Sequence, residues 1–300
     1  MEGYPRALSE LEARSSTESA CRDYLFQLRW PEGFACDRCG GRACWLASRG
    51  RVVCRGCRRH VSIAAGTIFQ DTHKPLATRF RVTWLVTSQK TGASALNPQG
   101  VPGLGSYKTA WTWLHKLRRA MVRPGRERLS GRVEADESHV GGLEEGAHGR
   151  GTETRAVVAI AAEEDGKGIG RIRMRRIEDC SAKELHAFVK DAVEPGSRVH
   201  TDGREGYTGL ENKGYGHKAT PVRNRKASKV LPRVHKAASL LKRWLMYYLD
   251  EFTFRFNRRT SRYRGKLFYR LIRNAVAADP APYETLVRGP RGRRKRSPDR

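Results

Sequence analysis

The chain has 300 residues, 38% of them hydrophobic, and 59 Lys and Arg set against 31 Asp and Glu give a formal net charge of +28. There is enough apolar material for one large domain or two to three small ones, and the charge suits a polyanion, because neutralised phosphates release condensed counterions. Without a signal peptide, a bilayer-length apolar run or a lipidation motif, nucleic acid is favoured over an acidic membrane as partner, and seven cysteines, an odd count, exclude a simple secreted disulfide framework and suit a reducing cytoplasm.

Along the chain, "TESACRDYLFQLRW" predicts a short helix ended by Pro31 and Gly33. The next stretch is rich in Cys, Gly and Arg. Here "CDRCG" and "CRGC" place Cys36, Cys39, Cys54 and Cys57 in a C-x2-C-x14-C-x2-C pattern. Each pair fits a tight knuckle that turns two thiolates toward one ion, and four thiolates close the tetrahedral, structural form of a zinc site. A ribbon this small does not fold without its metal, so binding and folding are expected to be one event. Cys21, Cys44 and Cys180 read as ordinary thiols. Arg51, Arg55, Arg58, Arg59 and His60 surround the quartet, which is compatible with DNA contact.

From about Pro75 to Met121 the apolar spacing is helical, first in "LATRFRVTWLVTSQK" and then in "SYKTAWTWLHKLRRAM". Between them "NPQGVPG" breaks any continuous helix. The second helix starts at Ser106, has Ala110, Trp111, Trp113, Leu114 and Leu117 as its apolar positions, and offers Lys108, Lys116, Arg118 and Arg119 as a polar face. It reads either as a recognition helix of helix-turn-helix type or as a core helix with a solvated basic face. Pro124 and Gly125 mark a boundary.

Strand patterns follow: "GRVEADESHVGG", "TRAVVAIAAEE" and "GIGRIRMRRI", then a helix, "SAKELHAFVKDAV", and a short strand, "SRVHTD". This order predicts an α/β fold with a mixed sheet. In the first strand Glu134 and Asp136 share one face and Glu137 takes the other. Asp is a poor strand former, and one held between Val133, Ala135 and Val140 suggests a divalent metal. Asp202 ends the "SRVHTD" strand, which can lie beside the first. Two carboxylates so placed could share ions that stabilise both oxygens of an in-line phosphoryl displacement. A long helix, roughly 233–250, is expected to bury Val234, Ala238, Leu241, Leu245 and Tyr248 and to put His235, Ser239 and Lys242 on an adjacent stripe. A basic aromatic helix, roughly 262–278, follows. Arg258, Arg259, Arg262, Arg264, Lys266 and Arg270 around it form either a second DNA track or a solvated closing face. The tail "RGPRGRRKRSPDR" has no apolar periodicity and reads as disordered.

These stretches, with "WPEGFACDRCGG", "EADESHVGG", "VHTDGREGY", "LPRVHKAASLLKRWL" and "DEFTFRFNRR", resemble in kind and order the bacterial insertion-sequence transposases of the ISXO2-like group, related to the Merlin transposons. The resemblance covers nearly the whole chain outside the tail. It implies an N-terminal helix and zinc ribbon over 1–70, a helical DNA-binding segment over 71–125, an RNase H-like DDE-type domain over 126–280 and a basic tail over 281–300. It also implies binding of the element's inverted repeats, DNA nicking with Mg²⁺- or Mn²⁺-activated water, joining of 3′-hydroxyl ends to a target, a homodimer on DNA and a nucleoid-associated place in the bacterial cytoplasm. Carried over by residue, the catalytic set is Asp136, Asp202, His235 and Lys242, an Asp-Asp-His-Lys variant. Two departures stand out: the "NPQGVPG" segment, and a connection after Trp244 shorter than in relatives, which would impair catalysis if it shifts the helix carrying Lys242. An inactive zinc-ribbon DNA-binding protein derived from a transposase, and an RNase H-like nuclease unconnected to transposition, remain the alternatives.

Overall fold

The Thr17 hydroxyl accepts the Ala20 amide at 3.1 Å and so opens the first long helix, α2 (Glu18–Arg29), after the short α1 (Leu8–Arg14). The structure is a computed structural model that describes residues 4–47, 51–89, 92–101, 104–123, 125–140, 156–222, 227–242 and 249–288. It divides into two compact units, one of Met1–Pro124 with Thr260–Arg300 and one of Gly125–Arg259. No described helix is long and apolar enough to cross a membrane.

In the first unit, β1 (Cys44–Ala47), β2 (Arg51–Cys54) and β3 (His60–Ser62) form an antiparallel meander. Beside it stand α3 (Leu76–Ser88), the short α4 (Leu96–Gln99) and α5 (Tyr107–Met121), the last capped by the Ser106 hydroxyl on the Thr109 amide. Helix α3 is buried nearly all round, and its hydroxyls are absorbed locally: Thr83 donates to the Arg79 carbonyl and Thr87 to that of Thr83.

The numbering then passes through the second unit. There β4 (Arg132–Val140) is the central strand, antiparallel to β5 (Ala156–Asp165), which pairs antiparallel with β6 (Gly168–Ile177). On its other side β4 runs parallel to β7 (Arg198–Thr201), which is parallel to β8 (Gly216–Ala219). The sheet order is β6-β5-β4-β7-β8, a mixed RNase H-like sheet as expected. The apolar run of β5 is buried on both faces. Ala159 and Ala161 join Val133 and Ala135 under α6 (Ala182–Ala192), while Val158, Ile160 and Ala162 lie under α8 (Pro232–Lys242) and α9 (Leu249–Phe256). The four-residue α7 (Ala227–Val230) leads into α8.

The chain ends back in the first unit. Helix α10 (Arg264–Ala277) packs against α2, α3 and α5, with Phe268 stacked edge-on at 6.0 Å from Phe80 and tilted at 5.7 Å from Trp84. Its Gly265 lies so close to the Pro5 carbonyl that a side chain has no room.

Three expectations are adjusted. The helix expected near 262–278 belongs with the N-terminal helices, so the second unit closes at Arg259 rather than at 280. The tail expected to be disordered from 281 begins with α11 (Tyr283–Arg288), held where the Tyr283 ring meets Trp111 at 6.0 Å and lies under the Lys108 ammonium at 4.5 Å; 289–300 lie outside the described residues. The helix expected over 233–250 is α8 followed by α9, and residues 243–248, with the short connection after Trp244, also lie outside them.

Candidate active site and zinc centre

The two cysteine knuckles repeat one backbone pattern. The Cys36 amide donates to the Gly41 carbonyl at 3.0 Å and the Gly40 amide returns to the Cys36 carbonyl at 2.9 Å. In the second knuckle, Cys54 donates to Arg59 at 3.0 Å and Arg58 returns to Cys54 at 3.1 Å. Each fold-back needs a left-handed residue: Gly40 (φ 70°) in one, Arg58 (φ 59°) in the other. The four Sγ atoms lie within 4.8 Å of one another, with Cys36–Cys57 and Cys39–Cys54 at 3.6 Å. Thiolates about 2.3 Å from a tetrahedral zinc stand roughly 3.8 Å apart, so the quartet fits that ion. Backbone amides of Arg38 and Cys39 point at the Cys36 sulfur and lower its thiol pKa, favouring the thiolate that zinc requires. Cys44 lies opposite Cys54 on the ribbon and is not part of the quartet.

The acidic site is set by strand register. Glu134 pairs with His200 across the parallel β4–β7 ladder. Two residues further along each chain stand Asp136 and Asp202, the latter just past the end of β7. Equal offsets from one pair put them on the same face of neighbouring strands, whose spacing is about 4.8 Å. Asp136 lies opposite Ile160 on β5 and is 9% exposed. Its Oδ1 accepts the Glu137 amide at 2.8 Å, and its Oδ2 is 3.5 Å from His235 Nε2 on α8. Asp202 Oδ1 accepts the Arg204 amide at 3.1 Å. Burial, with the Glu137 charge and the Asp202 charge adding to it, pushes the Asp136 carboxyl up to about 7. Two carboxylates and an imidazole around a spot that resists unneutralised negative charge suit a hard divalent cation. Among the described residues only the cysteine quartet gathers three or more ligand atoms within 4.8 Å, so Asp136, Asp202 and His235 stand farther apart than the four thiols.

The two neighbouring glutamates hold this arrangement from opposite faces. Glu137, on the α6 side, accepts Arg204 Nε at 2.6 Å and the Tyr207 hydroxyl at 3.2 Å, which ties down the loop that follows Asp202. Its own pKa is raised by burial, against the pull of Arg204. Glu134, on the α8 side, caps that helix from the sheet: Oε2 accepts the amides of Arg233 at 2.7 Å and Val234 at 3.0 Å, and Oε1 takes Arg233 Nη1 at 2.8 Å. Arg233 continues to Glu164 and to the carbonyls of Gly166 and Gly168. Sequence reasoning passed over Arg233 and Arg204. For Arg233 there was a signal: Pro232 at the first helical position has no amide, so the first free donors are those of 233 and 234. Lys242 is the last residue of α8, and its side chain lies outside the described residues.

The expected DNA-facing side chains divide sharply. Lys108, Arg119 and Arg262 are exposed. Lys116 instead donates to the Gln70 carbonyl at 3.2 Å, and Arg118, 4% exposed, to that of Ala93 at 2.7 Å. Arg258 lies 4.0 Å over the Phe254 ring and donates to the Phe254 carbonyl. Arg259 lies over Phe256 and reaches the carbonyls of Ile169 and Gly170. Arg118 is buried, Lys116 and Arg258 are half-buried, and Arg259 stays exposed while bonding to the sheet edge, so only Arg118 is withdrawn from the surface.

A five-stranded mixed sheet flanked by helices, in a chain that carries a four-cysteine ribbon in its N-terminal part, defines an RNase H-like protein with a structural zinc centre. Residues 128–257 match the ISXO2-like transposase domain, and residues 16–60 match the transposase zinc-ribbon domain. The chain belongs to the insertion-sequence transposases of this kind. No curated protein matches it.

Proposed function

We propose that this transposase binds the inverted repeats of its element in double-stranded DNA, cuts there in a reaction dependent on Mg²⁺ or Mn²⁺, and joins the freed ends to a target. What carries the proposal is Asp136 on β4 with Asp202 just past the end of the neighbouring β7, close enough for its charge to act on Asp136, and His235 3.5 Å from Asp136. Asp136 and Asp202 would hold the divalent ions and His235 would complete their surroundings. When bound, such ions stabilise the attacking and leaving oxygens of an in-line displacement. In the first displacement a water oxygen bonds to phosphorus as the 3′ oxygen leaves as a hydroxyl; in the second that hydroxyl oxygen bonds to a target phosphorus, giving up its proton, as the target's own 3′ oxygen leaves and is protonated. Glu134 would keep His235 in place by capping α8, and Arg204 would balance the charge of Glu137 beside the ions. Lys242 is proposed to steady a phosphate oxygen or the leaving strand. A homodimer holding two ends, working in the bacterial cytoplasm, completes the proposal.

The test is nicking of DNA that carries the element's ends, with and without Mg²⁺. Asp136→Asn and Asp202→Asn should each abolish it while DNA binding persists. Unchanged nicking in both variants would remove these aspartates from the chemistry, and binding without any nicking by the natural protein would favour a DNA-binding derivative.

A further inference from the structure

Helix α10 contains no acidic residue. Its buried side, with Leu267, Phe268, Leu271, Ile272 and Ala275, packs on α2, α3 and α5. On the remaining side Lys266 is half-buried and Arg270 and Arg273 are exposed, and Arg262 is exposed in the turn before the helix. Lys266 to Arg270 is a four-residue step and Arg270 to Arg273 a three-residue step, so these side chains line one face. Like charges at those spacings repel and destabilise a helix. None of the four makes an ion pair among the described residues, whereas Arg171, Arg204, Arg233 and Arg255 of the other unit each reach a glutamate within 2.9 Å. A local rule is broken here with no compensation inside the described protein, as happens where an outside partner supplies it.

We propose that Arg262, Lys266, Arg270 and Arg273 form a track for the phosphate backbone of duplex DNA, a proposal that rests on the polynucleotide function above and names one surface that serves it. Charge complementarity selects the occupant. The span from Lys266 to Arg273 is two helical turns, roughly 10 Å, close to the roughly 10 Å covered by three base steps at 3.4 Å each. Side chains of this type read phosphates and carry no sequence information, so the track adds affinity for any duplex rather than for the element's ends alone. It also adds Arg273 to the basic residues around Tyr263, and leaves out Arg258 and Arg259, whose guanidinium groups already bond to carbonyls of Phe254, Phe256, Ile169 and Gly170.

The experiment uses the full-length, zinc-loaded protein with two duplexes, one bearing the element's ends and one scrambled, and follows the dissociation constant against salt. The quadruple variant R262Q/K266Q/R270Q/R273Q should bind both duplexes more weakly, with the slope of log K against log salt reduced by roughly three to four. The charge-keeping variant R262K/R270K/R273K should retain the natural slope. Thermal unfolding of the glutamine variant should match or exceed that of the natural protein, since repulsion has been removed. An unchanged slope in a folded glutamine variant overturns the track, as does a loss confined to the end-bearing duplex. If the natural protein binds neither duplex, the polynucleotide function itself fails and the track falls with it. If it binds with the expected slopes but does not cut, the track stands while the catalytic proposal is lost.

Discussion

Replacing Glu134 by alanine removes a carboxylate that is 5% exposed and that holds two helix amides and a guanidinium at once. Breaking a buried ion pair by deleting one partner costs about 3–5 kcal/mol, because the other charge is left uncompensated. Arg233 keeps Glu164 at 2.9 Å and its carbonyl contacts, which places the loss near the low end, about 3 kcal/mol. Glutamine preserves the shape and can still accept the two amides, but its NH2 then faces the Arg233 guanidinium, donor against donor. That substitution should cost roughly half as much, about 1.5 kcal/mol. Urea unfolding of the zinc-loaded protein, followed by circular dichroism, reports both, with the midpoint shifting and the slope unchanged. Because the lost bonds fix the first turn of α8, His235 one residue further on should lose its position, and nicking should fall more steeply than stability. A Glu134→Ala protein within about 1 kcal/mol of the natural one would refute the capping argument.

Arg58 occupies in the second knuckle the left-handed place that Gly40 fills in the first, so Arg58→Gly should stabilise the zinc-loaded ribbon by about 1 kcal/mol, less whatever its stacking over Trp45 contributes; chelator competition measures it. Asp136 titrates near 7 in the fold against an ordinary 3.8, so between those values the folded protein binds more protons than the unfolded chain and stability is lost as pH rises through that window. Asp136→Asn should therefore raise stability at pH 8 without magnesium, on the order of 2–4 kcal/mol, with the gain vanishing by pH 4; a pH-independent difference would contradict the burial argument. Arg118→Gln should destabilise the first unit by about 1–3 kcal/mol, since the buried bond from its guanidinium to the Ala93 carbonyl is lost, while leaving the salt dependence of DNA binding unchanged.

The zinc centre was legible from spacing alone, because C-x2-C knuckles are local and need no tertiary information. The neighbourhood of Asp136 and Asp202 was legible because alternation along one strand separates Asp136 from Glu137, and because the short strand before Asp202 can lie beside the first, as β7 does beside β4. Strand β8 escaped because "GHKA" is short, exposed and without apolar alternation. It is held instead by backbone pairing to β7 and by the Thr201–His217 and His200–Thr220 contacts at 2.9 Å. The arginines were the least legible residues, since composition does not distinguish Arg118 from Arg119. Helix phase does: Arg118 follows Leu114 by four residues and Leu117 by one, on the buried side, and Arg119 lies a further 100° round. The place of α10 in the first unit depends on contacts with helices far away in the chain, which no local pattern encodes.

The parallel ladder between β4 and β7 also determines where this chain can change length. One residue inserted between Arg132 and Asp136, or between Arg198 and Asp202, would turn an aspartate through the sheet to its opposite surface and part the pair. Residues added in the stretch from 208 to 214 lie beyond both strands and leave the pairing of Glu134 with His200 intact. Natural copies of the element should therefore vary freely in that turn and keep both strand segments at constant length, a pattern that sequencing of related copies would expose directly.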